Sequence, residues 1–271
     1  MSRIGKANKI NVTGESKPKI KILWTGGWDS TFRIVSLADK NVIIEPIYLL
    51  NNRKCEPHEL HAINTIANEL KKSKSTKFTL NKLKTIKSSD VKSDKNITDG
   101  YKNLADEMHL GGQYEWLARF ANLQAYKGIE LSIHKDDKAY KVIKAFGKVK
   151  KVSKQYGSYY ELDINKSHND LVKVFGNFKY PLFNLNKKRM KRLTDYWGYS
   201  SIMTKTWFCH DPFNDEPCGI CMPCIYSMEE GMSYRFSEEA IIRYNKLRKL
   251  GRFKFYRKLK ELQRTFLTWY N

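Results

Sequence analysis

The sequence predicts an α/β protein, a doubly wound parallel sheet followed by a C-terminal helical part that binds zinc. Three observations predict it. Short runs rich in β-branched residues alternate with helical patterns, which calls for a parallel sheet covered on both faces. A glycine-containing turn, TGGWDST (25–31), joins the first such strand to the first helix. Four of the five cysteines, Cys209, Cys218, Cys221 and Cys224, fall in one short segment with the spacing C-x8-C-x2-C-x2-C. The 271-residue chain is 41% hydrophobic, which allows a sizeable core and argues against wholesale disorder.

Residues 1–18 are polar and read as a tail. KIKILW (19–24) is a short apolar strand, and FRIVSLAD after the turn supplies an apolar helical face. VIIEPIYLL (42–50) is a buried strand. HELHAINTIANELKK (58–72) repeats apolar residues at helical spacing. KFTLNKL (77–83) is a third strand candidate, and the lysine- and serine-rich stretch 84–99 reads as a loop. QYEWLARFANLQAYKG (113–128) is a helix ended by Gly128, and IELSIH (129–134) is a strand. The region 138–178 holds a hairpin around YGSYYELDI and a helix from His168. KKRMKRLTDYW (187–197) is a helix. FKFYRKLKELQRTFLTWY (253–270) is an amphipathic helix that either packs on the body or meets a partner, a second copy of the chain included. The division expected is a nucleotide-binding α/β domain at 19–200, with 201–271 as the zinc segment and C-terminal helices of the same domain.

No apolar run approaches a membrane span and the N-terminus lacks the apolar centre of a signal peptide, so a reducing cytoplasm is the expected home and no membrane partner is expected. The formal charge of +22 comes from 38 lysines and 12 arginines against 28 acidic residues. It is spread over three segments, 71–95, 138–154 and 237–271. A polyanionic partner and a lysine-biased composition that only solvates the surface account for it equally well.

The chemistry sits in two places. In TGGWDST, Gly26 and Gly27 let consecutive N–H groups turn inward as an anion nest, with Ser30 and Thr31 at a helix start that favours phosphate. Thr25, Ser30 and Thr31 add hydroxyls. Asp29 repels phosphate directly, so it either braces the loop or helps hold Mg²⁺. No Walker A pattern is present. In the cysteine segment, Pro217, Gly219 and Pro223 let the backbone double back so that four thiolates converge on a tetrahedral zinc. Such a site leaves no position for substrate and is structural. Ordinary buried or disulfide-bonded cysteines are the alternative reading.

TGGWDST resembles the SGGxDS[ST] signature of the PP-loop (ATP-pyrophosphatase) superfamily. Thr206, Trp207, Phe208 and Cys209, with Cys218, Gly219, Cys221 and Cys224, resemble the T-W-S-C-Y…C-G-x-C-x-x-C form of the 7-cyano-7-deazaguanine synthase family. NNRKCEPHELHA is similar to that family's segment after the second strand, with Arg53, Glu59 and Leu60 matching. YPLFNLNKKRM is similar to a later segment, with Pro181 and Lys187 matching. The likeness runs from about residue 20 to 230, specific at its ends and loose between them. Gly111, Gly112, Gln113 and Tyr114 replace the family's P-G-R-N, and His134 to Asp137 replace a glycine-containing turn.

The resemblance implies an adenine-nucleotide α-hydrolase-like fold and ATP cleaved between its α- and β-phosphates with Mg²⁺. It implies a 7-deazapurine carboxylate as the small-molecule substrate, adenylated for attack by ammonia or another amine, a nucleic-acid or protein acceptor included. It places Thr25, Gly26, Gly27, Asp29, Ser30, Thr31 and Arg53 on nucleotide or substrate, and Tyr48 and Leu49 where adenine sits. Asp29, Ser30 and Lys187 are the expected catalytic residues. Action on tRNA through the basic surface, or a role in a DNA-modification or antiviral gene cluster, is the alternative. A degenerate, non-enzymatic binding module is a third reading, against which the intact Asp29 and Ser30 speak. No general base stands out: Glu115 and His134 read as structural or surface groups, and Cys55 as a free buried thiol.

Overall fold

The structure, a computed structural model, describes residues 16–249. Most of the tail expected at 1–18, and the amphipathic helix at 253–270, lie outside the described residues. β1 (Lys19–Leu23), α1 (Trp28–Val35), β2 (Ile43–Leu50) and α2 (Glu56–Lys72) follow the expected alternation. The edge after α2 is split into β3 (Thr79–Leu80) and β4 (Lys84–Lys87), both parallel to β2. Pro46 explains the split. The carbonyls of Val42 and Ile44 face this edge and accept from Thr79 and Asn81. Pro46 is next on that side and has no N–H to give, so the ladder breaks opposite it and resumes at Ile47 with Lys84.

The strand expected at 77–83 is thereby cut to two residues. The stretch read as a loop, 84–99, holds β4 and the start of α3 (Lys95–Glu107). α3 turns Ile97, Tyr101, Leu104 and Ala105 onto the core at helical spacing, with Gly100 buried between them. Its local signal is Asp94, whose carboxylate accepts from the N–H groups of Asn96 and Ile97. Then come α4 (Gln113–Asn122), β5 (Ile129–Glu130) and α5 (Lys138–Phe146), the last unanticipated although Asp137 caps it and Ala139, Val142 and Ile143 share its buried face. β6 (Val149–Lys154) and β7 (Gly157–Leu162) form the expected hairpin, and α6 (Asn169–Phe175) starts after His168 as expected. β8 (Phe178–Lys179), α7 (Lys187–Tyr196), α8 (Ser200–Met203), α9 (Met222–Glu229) and α10 (Glu238–Lys249) complete the described chain.

The main sheet runs β3/β4, β2, β1, β5, β8, with every pairing parallel. Alternation along the strands feeds two cores. Ile22, Trp24, Ile44 and Tyr48 pack with α1, α2, α7 and α8 on one face. Leu23, Ile47, Leu49 and Ile129 pack with α3 to α6 on the other. A bidentate ion pair crosses the first layer: the Arg33 guanidinium donates to Glu130 at 2.6 and 2.8 Å, both groups buried. From β1 the chain winds one way to β2 and later the other way to β5, so the direction reverses between β1 and β5. A crevice opens at the carboxyl ends of strands on either side of such a switch point. β5 is shorter than the expected 129–134 because, after the Leu131 N–H donates to the Lys179 carbonyl, the chain turns, with the Ile133 N–H donating back to the Leu131 carbonyl.

Candidate functional site

TGGWDST lies at the carboxyl end of β1, at the switch point. Gly26 has φ +70, and a Cβ there would lie 2.7 Å from the Glu59 carbonyl of α2. Both the backbone conformation and the close approach require glycine. Gly26→Ala is expected to cost about 1–3 kcal/mol and to displace the loop. An unchanged melting temperature together with unchanged nucleotide binding would refute that requirement.

The loop is held from within. Ser30 Oγ donates to the Gly27 carbonyl at 3.3 Å and accepts from the Thr25 N–H at 3.3 Å. Thr25 Oγ1 accepts from the Gly27 N–H at 3.4 Å. Thr31, expected on phosphate, is turned inward instead: it is fully buried, its hydroxyl accepts from the Trp24 indole, and its N–H donates to Gly27. The reason is its place on the core side of α1's first turn.

A cavity of about 170 Å³ opens beside the loop, lined among others by Thr25, Gly27, Asp29, Ser30, Ser132 and Asp137. Ser132 Oγ is buried there without a hydrogen-bond partner, and Asp29 Oδ1 has no closer polar neighbour than His134, so both can still take a hydrogen bond from a polar ligand. Behind Asp29 stands His134, buried, with Nε2 3.4 Å from Asp29 Oδ1. Its Nδ1 accepts from the Asp136 N–H. Burial opposes ionisation of Asp29, but contact with His134 and the charges of His134 and Lys187 hold its carboxyl below the usual range. Burial likewise opposes charge on His134, but Asp29 and then Asp137 raise its pKa against the repulsion of Lys187. His134 therefore belongs to the site; the histidine alone, at the end of a strand, was the only sequence signal for it. Glu115 does not join it: it pairs with Arg119 and accepts from Thr98.

The other expected residues are placed as follows. Tyr48 is buried, and its hydroxyl donates to Glu59 at 2.5 Å; burial and Glu59 push its pKa far up. Leu49 packs its side chain in the core. Ile47 accepts from Trp24 on the β1 side, so period two turns the Leu49 backbone to that side too, beyond the end of β1. Arg53 is tied to Glu59 at 2.8 Å and to Asn51 at 2.6 Å and borders neither cavity described here. Cys55 is a free buried thiol, pushed up to about 12 by burial and by Glu59. Lys187 lies 3.8 Å from Glu230 and lines a second, larger cavity.

The four expected cysteines converge, all buried, with sulfurs within 4.8 Å of one another. Separations of 3.9, 3.8 and 3.3 Å bracket the edge of a tetrahedron drawn by metal–sulfur bonds of about 2.3 Å. Backbone N–H groups of Ile220 and Cys221 point at Cys218 Sγ, and that of Cys218 at Cys209 Sγ, as suits thiolates. Gly219 has φ +77, and a Cβ there would meet the Ala240 carbonyl at 2.2 Å. The cluster could hold a metal such as zinc. It also touches the glycine loop: the Trp207 N–H donates to the Gly26 carbonyl at 2.9 Å, while its indole donates to the Cys209 carbonyl and stacks on His58.

The chain resembles 7-cyano-7-deazaguanine synthase. It is 35% identical to the protein of that name from Buchnera aphidicola subsp. Schizaphis graminum (strain Sg) over 65 residues, which cover 22% of this chain and 28% of the relative. The match thus spans little more than a quarter of that protein's length. No family model matches the chain. Among the described residues no helix is long and apolar enough to cross a membrane.

Proposed function

We propose that the protein is an ATP-dependent enzyme that adenylates a carboxylate of the 7-carboxy-7-deazaguanine type and passes the acyl group to ammonia or another amine. The observation that carries the reading is the hydrogen bond from Trp207 to Gly26. It joins the glycine loop and the cysteine cluster, each half of one family's pattern, into a single site at the switch point. The partial likeness to 7-cyano-7-deazaguanine synthase supports the same reading.

A carboxylate is a poor electrophile with a poor leaving group. Its oxygen attacks the α-phosphorus as the α–β bridging bond breaks, and pyrophosphate leaves. The amine then attacks the acyl carbon, AMP leaves with the bonding pair, and the nitrogen loses a proton to give the amide. With ammonia, a second adenylation on the amide oxygen lets AMP leave again as the nitrogen gives up its protons to yield the nitrile. In this reading the turned-in N–H groups of 26–30, with Mg²⁺ on the phosphates, neutralise pyrophosphate as it departs. The Leu49 backbone, turned to the β1 side beyond the end of β1, suits the adenine edge. Zinc on Cys209, Cys218, Cys221 and Cys224 would hold the wall formed by Trp207.

Incubation with ATP, Mg²⁺, ammonium and 7-carboxy-7-deazaguanine is expected to yield AMP, pyrophosphate and the nitrile by mass spectrometry. Formation of ADP in place of AMP would sink the reading. A product mass showing the acid joined to an added amine, with no nitrile, would assign the acceptor.

A further inference from the structure

The larger cavity is not used by the phosphate chemistry above. It encloses about 530 Å³ between α1, α7, α9 and the turn before α10, the size of a small-molecule site. Its walls are aromatic: Trp28, Phe208, Tyr226 and Tyr234. Lys187, Lys188, Lys191 and Arg235 stand around it against one carboxylate, Glu230. Arg235 is fixed in place, its guanidinium 4.4 Å over the Phe208 ring and its N–H donating to the carbonyl and hydroxyl of Thr206. Lys191 reaches Asp195 at 3.2 Å and Lys187 reaches Glu230 at 3.8 Å, while Lys188 has no ion-pair partner among the described residues.

Aromatic walls select flat rings without regard to charge, and a cationic rim against one carboxylate selects anions. Trp28, the first residue of α1, lines this cavity and the smaller one beside the loop. A ligand here would therefore share a wall with the phosphate site. We propose that this cavity binds the acid that is activated, a planar heteroaromatic carboxylate, with its ring between the aromatic side chains and its carboxylate among the lysines. The assignment rests on the adenylation reading. ATP is also a flat ring with negative charge, but its phosphates belong to the N–H nest of the loop, which the larger cavity lacks.

The test measures equilibrium binding to the full-length protein by calorimetry, without turnover. The probes are 7-carboxy-7-deazaguanine, 7-deazaguanine, and α,β-methylene-ATP with Mg²⁺. The acid should bind at least tenfold tighter than the uncharged ring and together with the ATP analogue. Lys188→Glu with Lys191→Glu, both on the exposed side of α7, should weaken the acid at least tenfold and leave the analogue within twofold. Tyr226→Ala should weaken both rings and Tyr226→Phe should restore them. Competition between acid and analogue, or acid affinity untouched by the charge reversal, overturns the proposal. Acid-dependent ATP–pyrophosphate exchange separates the two claims. Acid bound without exchange removes the adenylation reading and keeps the cavity as an acid site. Exchange whose KM for the acid ignores the charge reversal removes the cavity and keeps the reaction.

Discussion

Stripping the metal, or replacing Cys221 or Cys224 with serine, is expected to unfold the segment around α9 before it alters chemistry. All four sulfurs are buried, and the residues around them, Trp207, Phe208, Ile220 and Phe236, are only partly buried. The cluster has little apolar core of its own, so a bound metal would supply its folding energy, of order ~10 kcal/mol for a structural zinc site. α10 depends on it through Arg243 Nε, which donates to the Cys218 carbonyl at 2.9 Å, and through Ala240 packed on Gly219. The glycine loop depends on it through Trp207 and Gly26. Chelation should lower the melting temperature by more than about 10 °C, since a few kcal/mol shifts a chain of this size by several degrees each. It should also weaken nucleotide binding. Metal content by mass spectrometry and a thermal melt check this. A metal-free, soluble variant melting like the wild type would remove the structural role.

What was legible from sequence is what short spacing encodes. The cysteine segment, the glycine turn and the β1–α1–β2–α2 alternation each lie within a few turns of chain, and each stands where it was expected. What was illegible is long-range or compensated. His134 reads as a surface or structural histidine because nothing nearby in the sequence announces Asp29, and only the return of β5 beside β1 brings the two to 3.4 Å. The same strand pairing buries Arg33 against Glu130, a contact 97 residues apart in the chain. Thr31 and Arg53 were expected on ligand because they sit in matching motifs. The fold gives each a local partner as well: the Trp24 indole for the buried Thr31, and Asn51 and Glu59 for the partly exposed Arg53. α3 carries the helical signal, Ile97, Tyr101, Leu104, Ala105 and Met108 recurring at helical spacing behind the Asp94 cap, but its start lies in a lysine- and serine-rich stretch whose composition reads as a loop.

Asp29→Asn is expected to lower the rate of adenylation by ~10²–10³-fold with folding intact, the usual cost of removing one preorganised electrostatic group from a reacting centre. The substitution keeps size and removes the charge that orders His134 and borders the cavity. His134→Gln, by contrast, should leave the cavity lining in place and loosen Asp29. The clearest readout is stability against pH, measured without nucleotide or Mg²⁺. Asp29, whose carboxyl is lowered from 3.8, contributes stability that is present above that value and is lost as pH falls through its folded pKa. His134, raised from 6.5, contributes stability that is full below 6.5 and is lost as pH rises through its folded pKa. The ring faces Asp29, Asp136, Asp137 and Lys187, and the carboxylates prevail. Wild-type stability should therefore decline on the alkaline side of 6.5, and that limb should vanish in both His134→Gln and Asp29→Asn. A limb that survives in either variant would mean that the pair is not coupled. A limb that vanishes in both, with activity falling steeply only in Asp29→Asn, would assign His134 to positioning and Asp29 to the reacting centre.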